Sequence, residues 1–383
     1  MRDKNLKDDV KCIIEEMQRQ SIEEIVFYDM KDQWIEELVE IANGLLKELS
    51  VEKLNLKKIT PLQKQCCYNL EVNKVGPALR KDCDVSLRAI LVYALAFDFV
   101  WKDMGGNTVR KVKKQGKTEY KYCFEGLGRY EYRGDTMNSY NTTVHEYFAR
   151  NDFIMHNPQL TALKNEKYKQ LKAKWEVCIL DNYESFDAIL PVESKTFISL
   201  YHTLGNFIPV PFVKGKNKKT GDTGEEFNSP RGMGATNDYW DLALLAIYEW
   251  YINNDDEKIQ NMLKGEDNVE LCKKWLEHEL FKGENGEPSW DMFIEKNYMQ
   301  DFVNINDSSD GEVKAGKYGK PKELWTGHFE SYVLKPRNED DFRQFFINAS
   351  ACIAARGIRI ANAIKAKLNE KETETLLSEL FDW

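Results

Sequence analysis

A chain of 383 residues with 42% hydrophobic and 31% charged side chains can bury a sizeable core, which excludes wholesale disorder and collagen-like repetition. Its 54 basic and 63 acidic residues give a net charge of −9. No whole-molecule field therefore draws it to nucleic acid or to an anionic membrane, and any such contact must come from local basic segments.

The first fifty residues carry apolar side chains at helical spacing (Ile13, Ile14, Met17; Ile22, Ile25, Val26; Trp34, Leu38, Ile41), which predicts two or three amphipathic helices. The breakers Pro61, Gly76 and Pro77 suggest a boundary between a helical N-terminal region, 1–78, and a mainly helical main domain, 79–383. The charged start, MRDKNLKDDVKC, lacks the apolar run of a secretion signal, so a cytoplasmic location is expected. Val85 to Trp101 is the most apolar stretch; with Arg88 and Asp98 inside it and fewer than the ~20 residues that a bilayer requires, it reads as a buried helix over about 83–103. Eight cysteines without a CxxC pair read as reduced, mostly buried thiols.

Between Thr108 and Arg133 the period falls to two. Tyr120, Tyr122 and Phe124 alternate after Gln115-Gly116, and Tyr130 and Tyr132 alternate again, predicting a small antiparallel hairpin over about 108–133. Gly134-Asp135-Thr136 then reads as a switch into a helix ending near Phe148, with Asp135 or Thr136 as its cap or, alternatively, Asp135 beside amides that could hold an anion. A basic helix is expected at about 160–175 and the end of another at Phe197 to Tyr201. Phe207 to Val213, broken by two prolines, reads as an edge strand or an extended segment. Lys214 to Glu226 reads as a mobile surface loop. Helices follow at about 238–252, 255–264, 267–281 and 289–299, and a polar stretch from Asn304 to Gly327 reads as a lid or as disordered. Glu339 to Leu368 is a long helix that Gly357 could bend, followed by a last amphipathic turn. The expected fold class is mainly α with a small antiparallel β component.

Arg133-Gly134-Asp135-Thr136-Met137-Asn138-Ser139, His202-Thr203-Leu204-Gly205-Asn206-Phe207, Asn228-Ser229-Pro230-Arg231-Gly232, Asn237 to Leu244 and Ala355-Arg356-Gly357 together resemble a bacterial family of unknown function, over most of residues 120–365. That resemblance implies no activity. A narrower one does: His156-Asn157-Pro158-Gln159, then His202 to Asn206, then Asn228, is similar to the divergent HNH nuclease module of modification-dependent restriction and defence proteins. Here Pro158 comes one residue early, and an extra Lys/Gly-rich segment separates Asn206 from Asn228.

That resemblance implies a metal-dependent nuclease. His156 would be the base, His202 a further catalytic imidazole, His202 and Asn228 the metal or phosphate ligands of a divalent cation such as Mg²⁺, and Asn206 the residue orienting an imidazole. Arg231 would be a further binding residue. Lysines of the 160–175 helix and the 214–219 loop would contact nucleic-acid phosphates. Arg150 to His156 also resembles the Arg-x(4–6)-His motif of HEPN ribonucleases, in which Arg150 would steady the scissile phosphate.

The same residues have a plain structural reading. Gly205-Asn206 is a common turn pair, His202 could satisfy helix-end carbonyls, and Asn228 is an ordinary turn former, leaving a non-catalytic binding or scaffold protein. Asp238 and Asp241 read as charges offsetting a helix dipole, and Trp240, Tyr248, Trp250 and Tyr251 as core.

Overall fold

The computed structural model describes residues 2–26, 87–97, 108–114, 117–123, 130–137, 143–144, 146–147, 190–201, 203–213, 239–262, 266–306, 316–331 and 335–380. Over these residues the fold is mainly α with a small antiparallel β component. The predicted boundary near residue 78 lies outside them.

The spine is α10, Glu339–Glu370, a helix of 32 residues. Asn338 caps it by accepting a hydrogen bond from the Asp341 amide at 2.9 Å, and Glu339, Asp340 and Asp341 crowd the first turn, where carboxylates oppose the helix dipole. Arg337 donates to Asp341 at 2.7 Å; although burial pushes the Asp341 carboxyl up, these Arg337 bonds outweigh it and hold the group below the ordinary aspartate range. From Ala349 to Gly357 almost every residue is buried, so this part of the helix is enclosed on all sides rather than along one stripe.

Three groups of elements pack on that spine, and a fourth, C-terminal group reaches it through the turn at Gln300–Phe302. Helix α1 (Arg2–Arg19) buries Val10, Ile14 and Met17 along one face, and α2 (Ile22–Val26) follows it. Helix α3 (Leu87–Ala96) is buried, and its Arg88 hydrogen-bonds Gln20 and pairs with Glu16 at 3.4 Å. Helix α4 (Val192–Leu200) sets Phe197 against Phe345 with ring centroids 5.0 Å apart. The C-terminal group is α5 (Trp240–Asn253), α6 (Asp256–Met262), α7 (Glu266–Leu276) and α8 (Trp290–Lys296), where Trp275, Phe281, Trp290 and Phe293 form an aromatic cluster. Helix α5 ends with Asn254 at φ 52°, the left-handed stop that asparagine tolerates.

Among the described residues the β component is three two-stranded sheets. Strands β1 (Thr108–Lys114) and β2 (Lys117–Cys123) pair from Thr108 with Cys123 to Lys114 with Lys117, leaving a two-residue connection at Gln115-Gly116, as the alternation predicts. Strand β3 (Tyr130–Thr136) pairs with β4 (Phe207–Val213). Pro209 and Pro211 stand two apart, so both missing donors fall on the same edge of β4 and its other edge can pair. Asp135 and Thr136 belong to β3, opposite Ile208 and Phe207, which corrects the expected helix cap: pairing with β4 holds their main chain in a ladder instead of at a helix start. The expected lid over 304–327 also needs correction at both ends. β5 (Val303–Ile305) pairs with β6 (Tyr318–Pro321), and Leu324 and Trp325 are buried before the short helix α9 (His328–Ser331). A last helix, α11 (Thr373–Leu380), packs beside α1 through Lys11 and Glu374, 2.6 Å apart.

Cys272 and Cys352 are buried free thiols, whereas Cys12 is exposed. Burial pushes both interior thiols up to about 12. Alkylation of the native protein at pH 8, followed by peptide mass mapping, should modify Cys12 readily and Cys272 and Cys352 at least about a hundredfold more slowly, because the thiolate is the nucleophile. Equal labelling of Cys272 and Cys12 would contradict this burial.

Candidate functional site

Four of the segments singled out in the sequence meet at one buried place. The chain leaves α4 through Tyr201 and makes a short 3₁₀ turn, Leu204–Asn206, before entering β4. The Met137 amide, at the end of β3, donates to the Asn206 carbonyl at 2.7 Å, and the Trp240 amide, at the start of α5, donates to the Met137 carbonyl at 3.0 Å. Arg356, from the middle of α10, donates to the carbonyls of Gly205 at 2.9 Å, Phe207 at 2.7 Å and Asn297 at 3.2 Å. Its guanidinium is fully buried without a bonded carboxylate, and burial pushes it down to about 9.

Gly205 permits this convergence. A Cβ there would stand 1.8 Å from the Ile353 carbonyl oxygen and 2.8 Å from the Gly357 amide nitrogen, both main-chain atoms of α10. Only hydrogen at that position lets the turn and the helix backbone approach so closely.

Beside this node lies a buried acid–imidazole pair. His328 Nδ1 is 2.6 Å from Asp241 Oδ2, which also accepts from the Leu324 amide at 3.1 Å. Among the described residues, His328 Nε2, Asp241 Oδ1 and the Trp325 indole Nε1 have no hydrogen-bond partner. The imidazole stacks on Trp325 with centroids 3.6 Å apart and meets Tyr239 edge-on, and the Tyr239 hydroxyl shares a 2.7 Å hydrogen bond with Thr143. Such a pair can fix the orientation of an imidazole. Here it also ties α9 to α5, and both side chains are enclosed.

Asn206 is the one sequence-predicted site residue whose side chain is described. It is fully buried, and its amide donates to the Tyr201 carbonyl at 2.7 Å, closing the turn on itself. Asp135 lies in β3 opposite Ile208. Arg150, His156, His202, Asn228 and Arg231 lie outside the described residues, as do the basic 160–175 helix and the 214–226 loop. Among the described residues no three His, Cys, Asp or Glu side chains group as a metal site requires, and no described helix is long and apolar enough to cross a membrane.

A cleft of about 240 Å³ opens elsewhere, lined by Tyr147, Pro191, Glu193, Glu339, Arg343 and Phe346, with Arg343 bonded to Glu193 at 2.9 Å across it.

The sequence marks Asp241 only as a charge offsetting a helix dipole and does not single out His328 or Arg356 as site residues. Arg356 stands in the Ala355-Arg356-Gly357 segment, and His328 is one of only five histidines, so composition holds a clue. Their partners stand 87, 149 and 151 residues away, beyond any local pattern. Comparison with known proteins adds nothing to this geometry: no family model, no curated protein and no solved structure matches the chain.

Proposed function

We propose that this chain is a non-catalytic binding or scaffold protein in which the Gly205-Asn206 segment is architecture. One observation carries the reading: Asn206 is fully buried and its amide donates to the Tyr201 carbonyl, so the side chain serves the turn that precedes β4. Removing that amide takes a donor from a buried carbonyl, at a cost of about 1–3 kcal/mol. Reducing surroundings, and with them the cytoplasm, belong to the same proposal, since Cys272 and Cys352 are free.

The test is an incubation of supercoiled plasmid and of single-stranded RNA with the purified chain in Mg²⁺ or Mn²⁺, run beside thermal melts of the Asn206→Ala variant. The binding reading expects intact nucleic acid and a lowered melting temperature for Asn206→Ala. Cleavage that needs the divalent cation and is lost in His156→Ala, with stability kept, would replace it by the metal-dependent nuclease. Cleavage that survives EDTA and needs Arg150 would replace it by the HEPN-like ribonuclease.

A further inference from the structure

The β1–β2 ribbon concentrates positive charge in an acidic protein. Between Thr108 and Cys123 stand Arg110, Lys111, Lys113, Lys114, Lys117 and Lys121 against the single carboxylate of Glu119, while the whole chain is at −9. The register arranges these charges further. Arg110 stands directly opposite Lys121, and Lys114 directly opposite Lys117. Residues opposite one another across an antiparallel pair share a face, so these four positions lie on one face together with Val112 and Glu119.

Like charges placed opposite one another across a ladder destabilise it, and a ribbon of two strands has little stability to spare. A lysine on an edge strand guards against unwanted pairing, but one charge does that; two opposed cationic pairs spread over both strands exceed that purpose. An anion bound between opposed cations relieves that repulsion. The other face carries Lys111 opposite Tyr120, Val109 opposite Tyr122, and Lys113 opposite Thr118. Its two tyrosines are two residues apart, about 7 Å along the strand, next to two lysines. Aromatic rings for bases beside cations for phosphates are the combination that binds single-stranded nucleic acid without sequence preference.

We propose that the β1–β2 ribbon is a docking surface for single-stranded nucleic acid, with Tyr120 and Tyr122 stacking bases and the paired cations holding phosphates. This rests on the binding-protein reading above and names its partner. It uses a surface other than the basic helix and loop that the sequence suggested.

The experiment is fluorescence anisotropy of a labelled 20-nucleotide oligo-dT titrated with the full chain at 50 and 200 mM salt. Binding should weaken about a hundredfold over that range if some five phosphates are held, each adding roughly −0.7 to the log–log slope. The informative variant is Arg110→Glu combined with Lys114→Glu, which turns both like-charge pairs into opposite-charge pairs. It should melt at or above the wild-type temperature yet bind at least tenfold more weakly with a shallower salt slope, whereas a purely structural role would leave binding unchanged. Tyr120→Leu with Tyr122→Leu should weaken binding while leaving much of the salt slope.

No binding at 50 mM salt, equal binding by the charge-reversed variant, or binding only to phosphatidylserine vesicles would overturn the proposal. The two readings fail separately. Cleavage of the bound oligonucleotide would remove the non-catalytic reading and leave the ribbon its partner. Neither binding nor cleavage would remove the ribbon proposal alone.

Discussion

Gly205→Ala should destabilise the protein by about 3 kcal/mol or more, the upper end of what overpacking costs, although it adds a single methyl group. Most glycine-to-alanine changes are mild, and many stabilise by restricting the unfolded chain. This one differs in what the methyl meets. The atoms at 1.8 and 2.8 Å are main-chain atoms of α10, which cannot rotate away as a side chain would. Relief requires lifting the 3₁₀ turn off the helix, and that movement stretches the 2.9 and 2.7 Å bonds from Arg356 and the 2.7 Å bond between Met137 and Asn206. Urea unfolding followed by circular dichroism measures the loss. A midpoint within about 0.5 kcal/mol of wild type would show that the turn and the helix are not so closely apposed.

The second large effect concerns Arg356. Its charge is buried without a bonded carboxylate, and the push down to about 9 shows that desolvation opposes it. If desolvation dominated, Arg356→Met would be neutral or stabilising, as when a buried ion is replaced by a well-packed apolar side chain. The opposing term is the carbonyls of Gly205, Phe207 and Asn297, each of which would lose a charged donor at about 1–3 kcal/mol apiece. Three such losses outweigh the relief, and Arg356→Met should cost about 3 kcal/mol. Arg356→Lys should recover little, since an ammonium cannot reproduce the planar fork that reaches three carbonyls from two nitrogens. Because Gly205 and Arg356 act on the same contact, the double variant should lose clearly less than the sum of the singles. Additive losses would mean that the two residues stabilise different things.

Helices with a strong period, such as α1 and α10, were legible in the sequence because burial of one face or of a whole mid-section leaves a trace in local composition. The β1–β2 hairpin was legible for the same reason, with Gln115-Gly116 marking its turn. What was misread has a common physical origin. Gly134-Asp135-Thr136 carries the chemistry of a helix cap, yet β4, more than seventy residues later, takes those positions into a strand. The 304–327 stretch is polar enough to suggest a lid, but β5 and β6 are only three and four residues long, too short to leave a periodic signal, and Trp325 is held by the distant Tyr239 and Phe345. Of the proposed site, Gly205-Asn206 was visible as a motif. Its use was not, since the atoms that Gly205 approaches and the guanidinium that holds its carbonyl belong to α10.

The enclosed position of α10 also bears on how the molecule is made. Helix α4 and the stretch around residue 205 both rest on a helix that leaves the ribosome more than a hundred residues after them. Until then their apolar surfaces have nothing to close on, and shielding by a chaperone is the natural consequence during synthesis. A chain ended before residue 339 should accumulate as an aggregate rather than as a smaller folded product.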